Sequence, residues 1–106
     1  MLKLLVGIGN PGRKYSYTRH NIGWEFIDKF NSNFDFQVVK NTAEYELWRG
    51  DYNNTELYTM KPLTFVNNSG FPLKKVLKKL NITSDKILIF VDDINLQLGE
   101  IRLKKQ

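Results

Sequence analysis

The chain has 106 residues, 42% of them apolar and 25% charged, which gives room for one compact domain and excludes two. With 13% aromatic residues and no low-complexity run, enough apolar surface is available to offset the entropy of ordering, which argues against a disordered tail. Sixteen Lys and Arg against eleven Asp and Glu leave a net charge of +5, a balance that suits polyanions and is also common among soluble domains of no special affinity. There is no cysteine, which excludes disulfides, thiolate metal sites and Cys nucleophiles within this chain and fits a reducing cytoplasm.

In chain order, Leu2 to Ile8 is an apolar run that ends in a Gly/Asn/Pro cluster, the length of a buried strand with a turn behind it. It is too short, and too broken by glycine, for a signal-peptide core or a membrane span. A loop then reaches Thr18. Ile22, Phe26, Ile27 and Phe30 follow at near-helical spacing, predicting a helix that starts at Thr18 or Arg19 and ends near 31–33. His20 then lies in or beside its first turn. Between Phe36 and Met60, aromatic and β-branched residues cluster in two runs, Glu44 to Gly50 and Thr55 to Lys61, with Asp51 to Asn54 as a hairpin loop between them.

Lys61-Pro62 is expected to break the second strand. Leu73, Val76, Leu77 and Leu80 then form an i, i+3, i+4, i+7 stripe with Lys74, Lys75, Lys78 and Lys79 opposite, the pattern of an amphipathic helix with a solvated basic face. Ile87 to Val91 is a continuous apolar run, expected of a central strand covered on both faces, and it stops at Asp92-Asp93. A short strand from Glu100 to Lys104 is expected to close the chain. The order strand, helix, hairpin, helix, strand, strand predicts an α/β fold: a single domain over 1–106 with a mixed, twisted β-sheet flanked by helices. Sites in such sheets form beyond the carboxyl ends of parallel strands, where Asn10 and Asp92 fall.

Gly7-Ile8-Gly9-Asn10-Pro11-Gly12 matches G-x-G-x-x-G after a strand, but its context argues against a dinucleotide site. Pro11 removes a backbone N–H that a phosphate cradle would use, the helix begins late, and no acidic residue ends the next strand. The glycines serve a tight turn that brings Asn10 close to a substrate, or they close a loop. His20 is the only histidine, and an imidazole of ordinary pKa suits general acid/base work near neutrality. A lone histidine is also often structural. Asp92 could orient such an imidazole by accepting a hydrogen bond from it; paired with Asp93 it could instead bind Mg²⁺ or cap a loop. Arg102 and Lys104 share one face of the expected last strand, where two cations can hold a phosphate.

Taken together, these segments resemble the bacterial peptidyl-tRNA hydrolase family. The resemblance rests on Gly7 to Gly12 with Tyr15 and Thr18-Arg19-His20-Asn21-Ile22-Gly23, on Lys61-Pro62-Leu63-Thr64-Phe65-Val66-Asn67-Asn68-Ser69-Gly70, and on Asp92-Asp93-Ile94-Asn95-Leu96-Gln97-Leu98-Gly99. It implies hydrolysis of the ester between a peptide and the terminal ribose of tRNA, without metal or other cofactor, by a cytoplasmic enzyme that is monomeric in its full-length form and has no membrane association. Residue by residue, it makes His20 the general base, Asp92 its orienting carboxylate, and Asn10 and Asn67 the amides that hold the peptide part, with Asn10 also at the catalytic centre. Tyr15 and Val66 border the substrate, Val66 standing where the family usually has Met, and Arg102 and Lys104 lie toward the tRNA 5′ phosphate. Asn95 and Leu98 depart from the usual Asp and Pro in a loop.

The family continues beyond these motifs into a Gly-Gly-His-Asn-Gly segment and a C-terminal helical lid. The expectation from sequence is therefore a truncated form, with exposed apolar surface, an unpaired strand edge and a tendency to self-associate. The alternative to an active enzyme is a catalytically incomplete form that binds tRNA or other RNA, or an inactive fragment.

Overall fold

The first apolar run forms a strand, β1 (Leu4–Gly7), buried along its whole length. The computed structural model describes residues 1–9, 22–63 and 70–90. A helix, α1 (Ile22–Asn33), precedes three strands, β2 (Gln37–Asn41), β3 (Tyr45–Tyr52) and β4 (Thr55–Pro62). A second helix, α2 (Gly70–Leu80), a 3₁₀ turn at Ser84–Lys86 and β5 (Ile87–Phe90) follow. The strands form one mixed sheet in the order β2-β3-β4-β1-β5. β1 runs parallel to both β4 and β5, whereas β3 is antiparallel to β2 and β4. The expected α/β fold, a mixed sheet flanked by helices, is the one observed.

Alternation along the strands divides the core in two. Leu4, Val6 and Ile8 of β1, Tyr45 and Leu47 of β3 and Met60 of β4 share one face with Leu73 and Val76 of α2. Leu5 and Leu57 point the other way and pack with Ile27 and Phe36 under α1. Burial on both faces is what a parallel centre requires, and it explains why β1 reads as an unbroken apolar run. On the α1 side, Phe30 is ringed by Phe34, Phe36 and Tyr52 at centroid separations of 4.8, 5.3 and 5.4 Å, and Phe26 lies 4.2 Å from Phe90.

Local chemistry sets the element ends. Asn53 and Asn54 both have positive φ (54° and 63°) between the paired residues Tyr52 and Thr55, the two-residue hairpin that follows strand twist. α2 stops at Asn81, φ 58°, with Ile82 N–H bonding Leu77 O at 2.9 Å and Asn81 N–H bonding Lys78 O at 3.2 Å, a Schellman closure in which asparagine takes the left-handed position.

One expectation needs correction. β2 exists as a separate strand, exposed along its length and bulged between Val38 and Lys40. As expected, β4 stops at Pro62, which is paired with Tyr45; the next bond is made by Leu63 N–H to Glu44 O at 2.8 Å, so the missing proline N–H costs the ladder little. Among the described residues β5 has β1 as its one neighbour, and Leu88 is 47% exposed; whether β5 is central turns on residues after Phe90, which lie outside the described residues. The expected starting turn of the first helix before Ile22, the last strand at 100–104, and Asp93 lie outside the described residues.

Candidate active site

The three parallel strands β4, β1 and β5 end at one edge of the sheet, Val6 opposite Met60 and Gly7 opposite Phe90. Past that edge the chain enters 64–69 from β4, 10–21 from β1 and 91–106 from β5. These stretches carry Val66 and Asn67; Asn10, Tyr15 and His20; and Asp92, Arg102 and Lys104 respectively. All eight lie outside the described residues, so the finding concerns the framework that flanks them. An edge where several parallel strands end is the place where α/β sheets build sites.

The amino end of α1 returns to the same edge and is held there tightly. A β-carbon on Gly23 would stand 2.5 Å from the carbonyl oxygen of Ile8 and 2.9 Å from that of Phe90, so this turn lies directly on the ends of β1 and β5. Ile8 N–H in turn donates to Phe90 O at 2.9 Å, extending the join past the strands proper. The third strand is tied in by the next residue, whose indole Nε1–H (Trp24) donates to the carbonyl oxygen of Pro62 at 3.0 Å. The flanks of the segments that lead to His20, Asn67 and Asp92 are thus brought together by one glycine and one tryptophan.

Behind this edge lies a charged cluster that sequence reasoning did not single out. Lys61 is only 9% exposed. Its Nζ donates to Asp28 Oδ1 at 2.8 Å, has Glu46 Oε1 at 3.6 Å, and stands 5.8 Å from the centre of a Trp24 ring. A buried ammonium needs such compensation, and two carboxylates with an aromatic face supply it. Trp48 Nε1–H donates to the same Glu46 oxygen at 3.3 Å, fixing that carboxylate from its other side. One signal was available in the sequence: Trp24, Asp28 and Asn31 recur at i, i+4, i+7, a second stripe beside the apolar one. Lys61, in contrast, sits in the segment read as a strand break.

Among the described residues no group of three or more His, Asp or Glu side chains could hold a metal ion, and no helix is long and apolar enough to cross a membrane. The four lysines on the outer face of α2 are exposed, as their spacing predicts, and Lys75 Nζ pairs with Glu44 Oε1 at 2.9 Å.

Residues 4–106 match the family model described as peptidyl-tRNA hydrolase. A peptidyl-tRNA hydrolase of Aster yellows witches'-broom phytoplasma is 41% identical over 105 residues, covering 99% of this chain and 56% of that protein. One from Wolbachia of Drosophila simulans is 38% identical over 104 residues, covering 98% of this chain and 57% of its own. The crystal structure of peptidyl-tRNA hydrolase from Acinetobacter baumannii superposes with a TM-score of 0.79 at 28% identity, over 92% of this chain and 50% of that one. The chain spans a little over half the length of the curated relatives it matches. With nearly all of its residues inside the family model and the same architecture in a solved relative, the chain belongs to the peptidyl-tRNA hydrolase family.

Proposed function

We propose that residues 1–106 form one domain that hydrolyses the ester between a peptide, or an N-blocked amino acid, and the terminal ribose of tRNA, releasing tRNA for reuse. The observation that carries this reading is the convergence, in a member of this family, of the flanks of all three motif segments on one sheet edge. His20 takes a proton from water as its oxygen attacks the ester carbonyl. Asp92 accepts a hydrogen bond from the other imidazole nitrogen and stabilises the imidazolium. Amide donors from Asn10 and Asn67 hold the peptide part and oppose the charge growing on the carbonyl oxygen. As the tetrahedral intermediate collapses, the bond to the ribose oxygen breaks and the imidazolium returns its proton to that oxygen, giving the free acid and a ribose hydroxyl. Tyr15 and Val66 border the peptide, and Arg102 and Lys104 meet the 5′ phosphate. The reaction uses no metal or cofactor and belongs in the cytoplasm, where translation supplies its substrate.

The test is release of an N-acetylated amino acid from its tRNA by the folded chain, with His20→Ala beside it. The expected loss in the variant is about 10²- to 10⁴-fold, the worth of a general base. Wild-type rate in His20→Ala overturns the assignment. A second reading, binding of tRNA without turnover, is favoured by the net charge of +5 and the exposed Lys74, Lys75, Lys78 and Lys79. Salt-sensitive binding by a folded chain with no ester cleavage would select it, because phosphate contacts release counterions and weaken as salt rises.

A further inference from the structure

We propose that Trp24, Asp28 and Asn31 are positioning residues that set α1 on β4 in one register, with the buried Lys61 as the central partner, and so hold the segment entering α1 against the segment leaving β4. The three residues stand at i, i+4, i+7 on one side of α1. Each is tied to the last four residues of β4: Trp24 to the carbonyl of Pro62 at 3.0 Å, Asp28 to Lys61 at 2.8 Å, and Asn31 Oδ1 to the Thr59 hydroxyl, which donates at 2.6 Å. The neighbouring stripe of α1, Gly23 and Ile27, is apolar and buried.

Apolar burial is non-directional, so it holds the helix on the sheet without strongly fixing its slide or roll. Hydrogen bonds are lost with displacement and tilt, so three in a row make one setting of the helix distinct. Stability alone does not call for Lys61, because a buried ion pair is often replaceable by apolar side chains at no loss. Orientation does call for it. His20 lies four residues before Trp24, and Asn67 lies five after Pro62, so a shift of α1 along β4 displaces the two approaches against each other. A misplacement of about 1 Å costs roughly 10²-fold in rate when reacting groups must be aligned.

The kinetic part of this inference rests on the proposed hydrolase activity; the structural part does not. In Lys61→Met the unbranched stem remains and only the charge and its bonds are lost, and Asp28, whose side chain is 57% exposed, stays solvated. The expected result is a folded chain with kcat lowered about 10-fold or more, within the range of such misplacements, and KM little changed. Asp28→Asn lowers kcat in the same direction, the double variant is no worse than the poorer single, and Lys61→Arg recovers part of the rate. A through-space electrostatic role would instead move the two charge removals in opposite directions.

His20 is the only histidine, so the proton on its imidazole Cε1 gives one NMR signal with no other histidine to overlap it, without any turnover. That signal shifts in Lys61→Met and in Asp28→Asn but not in Glu56→Gln, which breaks the exposed pair with Arg49. An unmoved imidazole signal in both folded variants, or wild-type kcat in them, overturns the proposal. If the unaltered chain cleaves no ester, the hydrolase reading fails while the imidazole signal still decides this one; if Lys61→Met does not fold, Asp28→Asn alone decides it.

Discussion

Gly7 and Gly23 meet where β1 and α1 join, and neither position has room for a β-carbon. One on Gly7 would collide with the carbonyl oxygen of Gly23 and come within 2.5 Å of the Ile27 side chain; one on Gly23 would meet Ile8 backbone atoms at 2.5 and 2.7 Å. Both glycines are therefore required by close approach rather than by an unusual dihedral angle. Their join places the first turn of the helix on the strand ends, which makes packing at this point a determinant of the site's framework.

Gly23→Ala is expected to destabilise the chain by about 1–3 kcal/mol, the usual cost of forcing a methyl into a filled interior. For a domain of this size each kcal/mol lowers Tm by about 4–8 °C. Thermal unfolding followed by circular dichroism checks it, and an unchanged Tm would show that α1 can lift off Ile8 without loss.

The hairpin offers a change in the opposite direction. Asn53 and Asn54 both occupy left-handed backbone between Tyr52 and Thr55, and the second position of such a turn favours glycine most strongly. Asn54→Gly should raise stability by a few tenths of a kcal/mol up to about 1 kcal/mol, as removal of a left-handed strain outweighs the added freedom of the unfolded chain. Asn54→Val should lower it, because a β-branched residue tolerates positive φ poorly. Denaturation midpoints of the two variants, compared at equal m-value, give the answer.

How much of this was legible in the sequence depended on how each element is stabilised. α2 announced itself because Leu73 and Val76 are buried and its lysines are not, so the 3.6 period survives in composition. The β3–β4 hairpin was legible from its turn. β2 was not, because Gln37 to Asn41 is exposed along its length and bulged, leaving no alternation to read. β5 was legible as a strand from its continuous apolar run, but such a run looks alike in the middle and at the edge of a sheet, so its place is not readable from composition; Ile87 and Ile89 pack toward the α2 side while Leu88 is half exposed. Lys61 and Asn31 were missed for a different reason: a lone polar residue is ordinarily a surface residue, and only tertiary partners make it worth burying.

At the start of β5 a pH effect follows from one hydrogen bond. The Thr83 hydroxyl donates to Asp85 Oδ1, and this bond, with the backbone N–H of Asp85 and the nearby Lys86 charge adding to it, holds the Asp85 carboxyl below the usual aspartate range. A carboxyl whose folded pKa is depressed contributes stability above its unfolded pKa and loses it as pH falls through the folded value. The contribution is therefore complete at neutral pH and declines only in acid below the ordinary aspartate range. Thr83→Val should move the Asp85 titration back up toward that range and flatten this part of the acid limb. Carbon NMR titration of the carboxyl measures it directly, and an unmoved midpoint would exclude the hydroxyl as the cause.

The Asn31–Thr59 bond separates what holds the chain together from what aligns it. Asn31 is 4% exposed and Thr59 fully buried, and among the described residues the Asn31 Nδ2 has no partner, so this amide is only half satisfied even with the Thr59 bond in place. Removing one member of a buried polar pair leaves the other with its full desolvation penalty, whereas replacing both with apolar groups of similar shape is close to neutral. Thr59→Val alone is thus expected to cost about 1–3 kcal/mol. The double variant Asn31→Leu/Thr59→Val should recover most of that loss, since it also removes the unpartnered amide. A double-mutant cycle by chemical denaturation measures the coupling. If α1 takes its setting from polar bonds to β4, the double variant regains stability while the His20 imidazole signal stays displaced; recovery of both together would mean that apolar packing alone is enough to align the helix.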